Sequence, residues 1–380
     1  MRIGIDISQI VYEGTGVATY TRLLVEAMVK AASKDEFFLF GSSFRNRKPI
    51  KEFVKNLRAK NVKGCVSFLP PKFLEFLWNG IHVLPVEFFT GPVDVFHSSD
   101  WLEPPTQKAK RITTVHDLAV FKYPETFQVR GGHDIVENQK RRLYFVKHYS
   151  DLIIAVSETT KKDMVEILKI PEKKIKVIYE AADPIYYPRE KTEIDKAREK
   201  FGIENEYLLC VGTREPRKNL KRLLAAFVEI AGANKELSLV VVGKYGWGED
   251  SAKSKIQNSK FENKVKFLGY VEKEDLARLY SGATAFVFPS LYEGFGLPIL
   301  EAMSCRCPVV TSAVGAMKEI ANGAAALVDP ESVSSIADGI SKIYRNQRLA
   351  AELKEKGFSR AKEFSWEKAA LQTLEAYRQL

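Results

Sequence analysis

The stretch "TAFVFPSLYEGFGLPILEAMS", Thr284–Ser304, opens as an unbroken apolar run, passes a Gly-Phe-Gly turn and resumes with helical spacing. "TAFVFPS" has the length and composition of a strand buried on both faces, as in a parallel sheet. "LYEGFG" is the loop after it, and Pro298 suits the start of a helix, where its missing N–H is unpaired anyway. Two carboxylates bracket this corner: Glu293 lies in the loop and Glu301 about one turn into the helix. Between them Gly296 and Leu297 can offer backbone N–H groups to a ligand.

The same alternation runs outward in both directions. "RIGIDI", "FFLFGSS", "VDVFHSS", "KRITTVHD" and "DLIIAVSE" are short apolar runs ending in small or polar residues, with helical segments such as "QKRRLYFVKHY" between them. After "KIKVIYEAADPIYYP" the pattern restarts with "YLLCVGT", "LSLVVVGK", "VKFLGYV", "TAFVFPS", "CPVVTS" and "AALVDP". At 380 residues and 45% hydrophobic content the chain has enough material for two buried cores. The expected class is therefore α/β: two doubly wound, Rossmann-like domains joined near residues 180 to 190, with ligand at the carboxyl ends of strands, facing a central cleft. The expected domains are 1–184 and 185–364. The amphipathic final segment "SWEKAALQTLEAYRQL", 365–380, is expected to pack back on the N-terminal domain, although periodicity alone does not choose its docking surface.

Composition narrows the function classes. The net charge is +10, concentrated in Arg45–Gly64, where Glu52 is the single acid. Such a surface favours anionic partners, but no RNA-binding or helix-turn-helix signature accompanies it, so nucleic acid is not expected. Next to it, "PPKFLEFLWNGIHVLPVEFF", residues 70 to 89, is rich in aromatics. These are either core or, with the bases, a surface for anionic lipid. The chain has no charge-free apolar run of about 18 residues and an N-terminus that turns polar too soon for a secretory signal, so a cytoplasmic protein is expected, with a peripheral place on the membrane left open. Cys65, Cys210, Cys305 and Cys307 are too few and too scattered for a zinc site or a disulfide framework, and are expected to be reduced thiols in or near the core.

Two glycine loops point to a phosphate. "EGTGVATY" sets Gly14 and Gly16 between a strand and a helix, followed by Val17, so that backbone can approach an anion. The dinucleotide fingerprint would need a third glycine where this chain has Thr19, and an acid at the end of the second strand, where "FLFGSS" has none; a nicotinamide dehydrogenase is not favoured. "VGTREPRKNL" repeats the grammar in the second half, with Arg214, Arg217 and Lys218 crowding a helix start after Gly212. An ionised carboxylate only accepts hydrogen bonds, and neighbouring sugar hydroxyls supply two donors. Two such acids beside a basic phosphate cradle describe a site for a nucleoside-diphosphate sugar. No Asp-x-Asp occurs, so the usual carboxylate pair for a bridging metal is missing and no metal or other cofactor is expected.

These motifs resemble the retaining glycosyltransferases of family 4, which have the GT-B fold. "EGFGLPILE" is similar to the family's E-x7-E element, "VGTREPRKNL" to its phosphate loop, "TGVATYTRLL" to its N-terminal glycine loop and "TVHDLAVFKYPETF" to its histidine segment, in the right order over nearly the whole chain. The resemblance implies that Glu301 binds the ribose and that Glu293 lies by the donor sugar with Gly294 and Phe295. It implies too that His116 touches the transferred sugar and that the bases neutralise the diphosphate. Backbone near Gly269, Tyr270 and Val271 is expected to read the nucleobase. Many members carry an arginine immediately after the strand-end glycine, where this chain has Thr213; Arg214 or Arg217 then takes that role. The histidine segment looks somewhat like mannosyl- or rhamnosyltransferases of surface polysaccharide assembly. The first expectation is a mannosyltransferase moving the hexose from GDP-mannose to a saccharide or lipid-linked saccharide. A UDP-sugar-dependent transferase and a non-catalytic nucleotide-sugar-binding protein are the alternatives.

Overall fold

The apolar runs of the first half become strands of one sheet: β1 (Arg2–Asp6), β2 (Glu36–Ser42), β3 (Val62–Ser67), β4 (Val95–Ser98), β5 (Lys110–Val115), β6 (Leu152–Ala155) and β7 (Ile175–Val177). Their order is β3-β2-β1-β4-β5-β6-β7, and every neighbouring pair is parallel. The second half builds β8 (Glu206–Val211), β9 (Leu237–Val242), β10 (Val265–Gly269), β11 (Ala285–Phe288), β12 (Val309–Ser312) and β13 (Ala326–Val328). These form a parallel sheet in the order β10-β9-β8-β11-β12-β13. The computed structural model describes residues 1–98, 100–127, 135–234, 236–244, 246, 256 and 261–380.

Burial explains why these runs are strands of a doubly wound sheet. Ile153, Ile154 and Ala155 are successive and all inaccessible, which a strand permits only when helices cover both faces. In the second sheet Leu208, Leu239 and Val287 pack on Leu223, Leu224 and Phe227 of the helix Leu220–Ala231. Two strands escape the sequence reading, which treats 45–64 only as a charged stretch and "KIKVIYEAADPIYYP", where the three-residue β7 lies, only as the passage between the halves. β3 is an edge strand, so it needs a single neighbour, and Lys63 and Gly64 face water instead of adding to an apolar run.

The chain divides into two units, Met1–Lys122 with Gly131–Glu180 and Ser365–Leu380, and Tyr123–Arg130 with Ala181–Phe364. The passage between them falls at Glu180–Ala181, ahead of position 184. Asp183 belongs with the second unit because its carboxylate accepts from Lys273 at 2.8 Å, and Tyr186 meets Tyr280 edge-on. In the first unit the C-terminal helix Trp366–Arg378 lies on the helix Gly16–Ala31: Trp366 meets Tyr20 edge-on, and Arg378 pairs with Asp35 at 3.1 Å. The aromatic segment 70–89 divides by side. Leu74, Trp78 and Val86 join Phe38, Phe40 and Phe96 in the core, while Phe73, Phe76 and Phe88 are exposed. Cys210, Cys305 and Cys307 are buried free thiols and Cys65 a partly buried one.

Strand order reverses between β1 and β4 in one sheet and between β8 and β11 in the other, and loops diverge at such points to leave a ligand crevice at the carboxyl ends. The rim of the second sheet is tightly made. Gly212 N–H donates to Val242 O and Gly243 N–H to Gly269 O, 2.9 and 2.7 Å. A Cβ on Gly243, whose φ is +146°, would stand 1.8 Å from the carbonyl oxygen of Gly212. Gly243→Ala is therefore expected to cost at least about 3 kcal/mol in urea unfolding. Gly232→Ala, at helical φ with no atom within 4 Å, should be neutral or slightly stabilising. Equal stability of the two variants would contradict this packing.

Candidate active site

Parallel pairing of β8 with β11, Ala285 opposite Leu208 and Phe286 opposite Leu209, sets the loop after Gly212 beside the loop after Phe288. Several bonds then tie the loops together. Leu291 N–H donates to Arg217 O at 2.9 Å, and Arg217 Nη1 donates to Tyr292 O at 2.6 Å. Asn219, in the left-handed region at φ 62°, donates from Nδ2 to Pro289 O and to Pro330 O at 2.9 and 2.7 Å.

Glu293 sits at the centre of this junction. Its carboxylate accepts from Lys218 Nζ at 2.7 Å on one oxygen and pairs with Arg217 Nη1 at 2.9 Å on the other. Arg217 also pairs with Glu215 at 2.5 Å. Burial alone would raise the Glu293 carboxyl, but the charges of Arg217 and Lys218 outweigh it and hold it at about 2. Glu293 is thus a fixed negative charge at any physiological pH. The two arginines of the loop part company: Arg217 faces Glu293, whereas the buried Arg214 lays its guanidinium over the Phe267 ring on β10.

Past Gly294 and the buried Phe295, Gly296 adopts φ 101° and caps the helix Leu297–Ser304, with Leu297 as its first residue. Glu301 stands on that helix, and its Oε2 accepts from the Tyr280 hydroxyl at 3.1 Å. Its surroundings are the reverse of those of Glu293. Burial pushes its carboxyl up to about 7, against the Tyr280 hydroxyl and the Lys273 charge, with Asp183 adding to the rise. At the other end of the rim Gly269 turns at φ 68°, Tyr270 is exposed beside Lys244, and Val271 is buried. The second unit therefore gathers Lys218, Arg217, Glu293 and the helix start around one strand reversal. Among the described residues no three His, Cys, Asp or Glu side chains group as metal ligands.

The first unit holds the other expected residues. Gly14, at φ 83°, precedes Thr15, whose hydroxyl caps the helix Gly16–Ala31 by accepting from Ala18 N–H; Gly16 and Val17 form its first turn. His116 follows β5 and gives Nδ1–H to Glu180 Oε1 at 2.9 Å. Burial disfavours its charged form, but Glu180 more than offsets this and holds the imidazole above its ordinary value. Tyr20 meets the His116 ring edge-on at 4.7 Å and bonds Thr114, to which His97 Nε2 also bonds; His97 Nδ1 in turn meets the Tyr377 hydroxyl. His97, Thr114, Tyr20 and His116 line a cavity of about 20 Å³, room for about one water. That volume suits a support for His116 and not a sugar pocket.

Glu180, Glu215, Asn219, Tyr280 and Tyr20 escape the sequence reading. Glu180 alone leaves a usable trace, as an acid three residues past a strand end in "KVIYEAAD". The contrast between the acids is testable. Because the folded protein binds the Glu301 proton more tightly than the unfolded chain, stability falls as pH rises from about 4.5 to about 7 and is level above. In urea unfolding across that range the wild type should lose about 2 to 3 kcal/mol relative to Glu301→Gln. A constant difference between the two would refute the burial assigned to this carboxyl.

The chain matches the model of the glycosyl transferases group 1 over residues 191–360 and that of Glycosyltransferase Family 4 over residues 14–185. It is 31% identical over 387 residues, covering 100% of both chains, to the O-antigen chain mannosyltransferase B of Escherichia coli. Sucrose-phosphate synthase from Thermosynechococcus elongatus superposes with a TM-score of 0.78 at 22% identity, covering 100% of this chain and 98% of the other. Anabaena HepE in complex with UDP-glucose does so with 0.73 at 19%, over 100% of both. With two doubly wound Rossmann-like units and these motifs at their strand reversals, the chain belongs to the group 1, family 4 glycosyltransferases of GT-B fold, and is a hexosyltransferase.

Proposed function

We propose that the enzyme transfers mannose from GDP-mannose to a hydroxyl of a saccharide or lipid-linked saccharide, with retention at the anomeric carbon and without a metal. The observation that carries this reading is the junction of Lys218, Arg217 and Glu293 at the start of the helix Leu297–Ser304, with Glu301 along that helix. The junction offers fixed cations and the Leu297 N–H of the helix start to a diphosphate, and Glu301, once ionised, offers acceptors to a ribose diol. Mannose as the sugar draws support from the mannosyltransferase that is 31% identical over its full length.

In the transfer step the bond from C1 to the β-phosphate oxygen breaks, and the acceptor oxygen joins C1 on the same face. The acceptor's proton passes to the leaving phosphate oxygen. Negative charge grows on the phosphate, and Lys218 stabilises it there. Arg217, with its guanidinium held by Glu215, Glu293 and the Tyr292 carbonyl, acts as the brace that fixes Lys218 and the loop. Arg214 borders the base side near Gly269. His116, oriented by Glu180, donates a hydrogen bond to the transferred sugar.

The test is to incubate the protein with a panel of GDP-, UDP- and ADP-sugars and an acceptor extract, and to measure the nucleoside diphosphate released. GDP released from GDP-mannose, undiminished by EDTA, is expected. Turnover confined to a UDP-sugar would replace the donor. Tight binding with neither transfer nor slow hydrolysis would make the protein a non-catalytic binder, and loss of activity in EDTA would restore a metal. Lys218→Ala should lower kcat/KM by about 2 to 4 kcal/mol of transition-state stabilisation, the scale of one removed preorganised donor. Near-normal turnover in that variant would overturn the role given to Lys218.

A further inference from the structure

Besides Phe88, four exposed phenylalanines of the first unit's described residues lie on its surface with no core to enter: Phe44, Phe68, Phe73 and Phe76 are 54, 64, 47 and 57% exposed. The backbone brings them to one corner of the sheet. Ser42 Oγ donates to Leu69 O at 2.8 Å and Ser43 N–H to Ser67 O at 3.4 Å, so Phe44 and Phe68 leave the ends of β2 and β3 side by side. Directly after come the helix Pro71–Glu75 and the wider turn Phe76–Gly80. Leu74 and Trp78, one turn apart, bury in the core, and Phe73 and Phe76 take the outer side.

The same corner is strongly basic. Between Arg45 and Lys72 the chain carries nine lysines and arginines and one acid, Glu52. The helix Lys48–Asn56 buries Ile50 and Phe53 against the sheet and turns Lys51 and Lys55 to water. The Arg45 guanidinium stands over the exposed Phe44 ring. Grouped apolar rings on a protein surface mark a contact site. A partner for this one must accept bare phenyl rings and carry negative charge.

We propose that this corner of the first unit docks on an anionic lipid bilayer, the phenylalanines entering the boundary of headgroups and acyl chains and the bases meeting the phosphates. A single-stranded nucleic acid would stack its bases on such rings, but the chain carries no RNA-binding signature. A bilayer uses both rings and charge. Among the described residues no helix is long and apolar enough to cross a membrane, so this is attachment to one leaflet.

The experiment is sedimentation of the full chain with vesicles of phosphatidylcholine alone or mixed with phosphatidylglycerol. Binding needs neither donor nor acceptor, so its outcome is separate from that of the transfer assay. The protein should pellet with the mixed vesicles at low salt, much less at high salt, and not with phosphatidylcholine. Replacing Lys51, Lys55 and Lys63 by glutamine should weaken partition on the order of a hundredfold, about fivefold per charge. Phe73→Ser with Phe76→Ser should also release the protein, with unchanged thermal melting because both side chains are exposed. Binding indifferent to the phenylalanines, or binding to polyuridylate with the same lysine dependence in place of vesicles, would overturn the proposal.

Discussion

Everything at the candidate site depends on β8 lying next to β11. The two strands are far apart in sequence, and only the reversal of strand order makes them neighbours. Once they pair, the loop bearing Arg217 and Lys218 and the loop bearing Glu293 have no other place to go. The buried acid and the two bases then satisfy one another across the junction. Removing one partner would leave a buried charge alone, which is the costly way to break such a group. Counting Glu215, the cluster sets two acids against two bases, so under the proposed function Lys218 has to divide itself between Glu293 and the leaving phosphate.

The E-x7-E element contains two acids of opposite character. Glu293 is held ionised by adjacent cations, whereas Glu301 is pushed up to about 7 by burial beside Tyr280. Identical side chains eight residues apart thus serve as a constant charge and as a group that titrates near neutrality. Their difference comes from what the fold packs around them, since Lys218 reaches one and Lys273 only approaches the other.

Much of this was legible in the chain before folding. The strands of both sheets, β3 and the three-residue β7 apart, read as apolar runs because parallel strands are covered on both faces. The basic loop after Gly212 and the glycine corner at Gly296 were legible because helix starts and positive φ have narrow chemical requirements. β3 was hidden because an edge strand can afford Lys63 and Gly64. The supporting residues were hidden for another reason. Glu180 finds His116, Tyr280 finds Glu301 and Asn219 finds Pro330 across many intervening residues, and no local spacing records such pairings. That Glu293 is engaged by both Arg217 and Lys218 also follows from topology and not from the motif in which it stands.

The most direct measurement is a crystal structure of the protein soaked with GDP-mannose. The account predicts the diphosphate between Lys218 Nζ and the N-terminus of the helix Leu297–Ser304, with the ribose hydroxyls on Glu301. A nucleotide bound elsewhere, or one whose ribose leaves Glu301 bonded to Tyr280 alone, would contradict it.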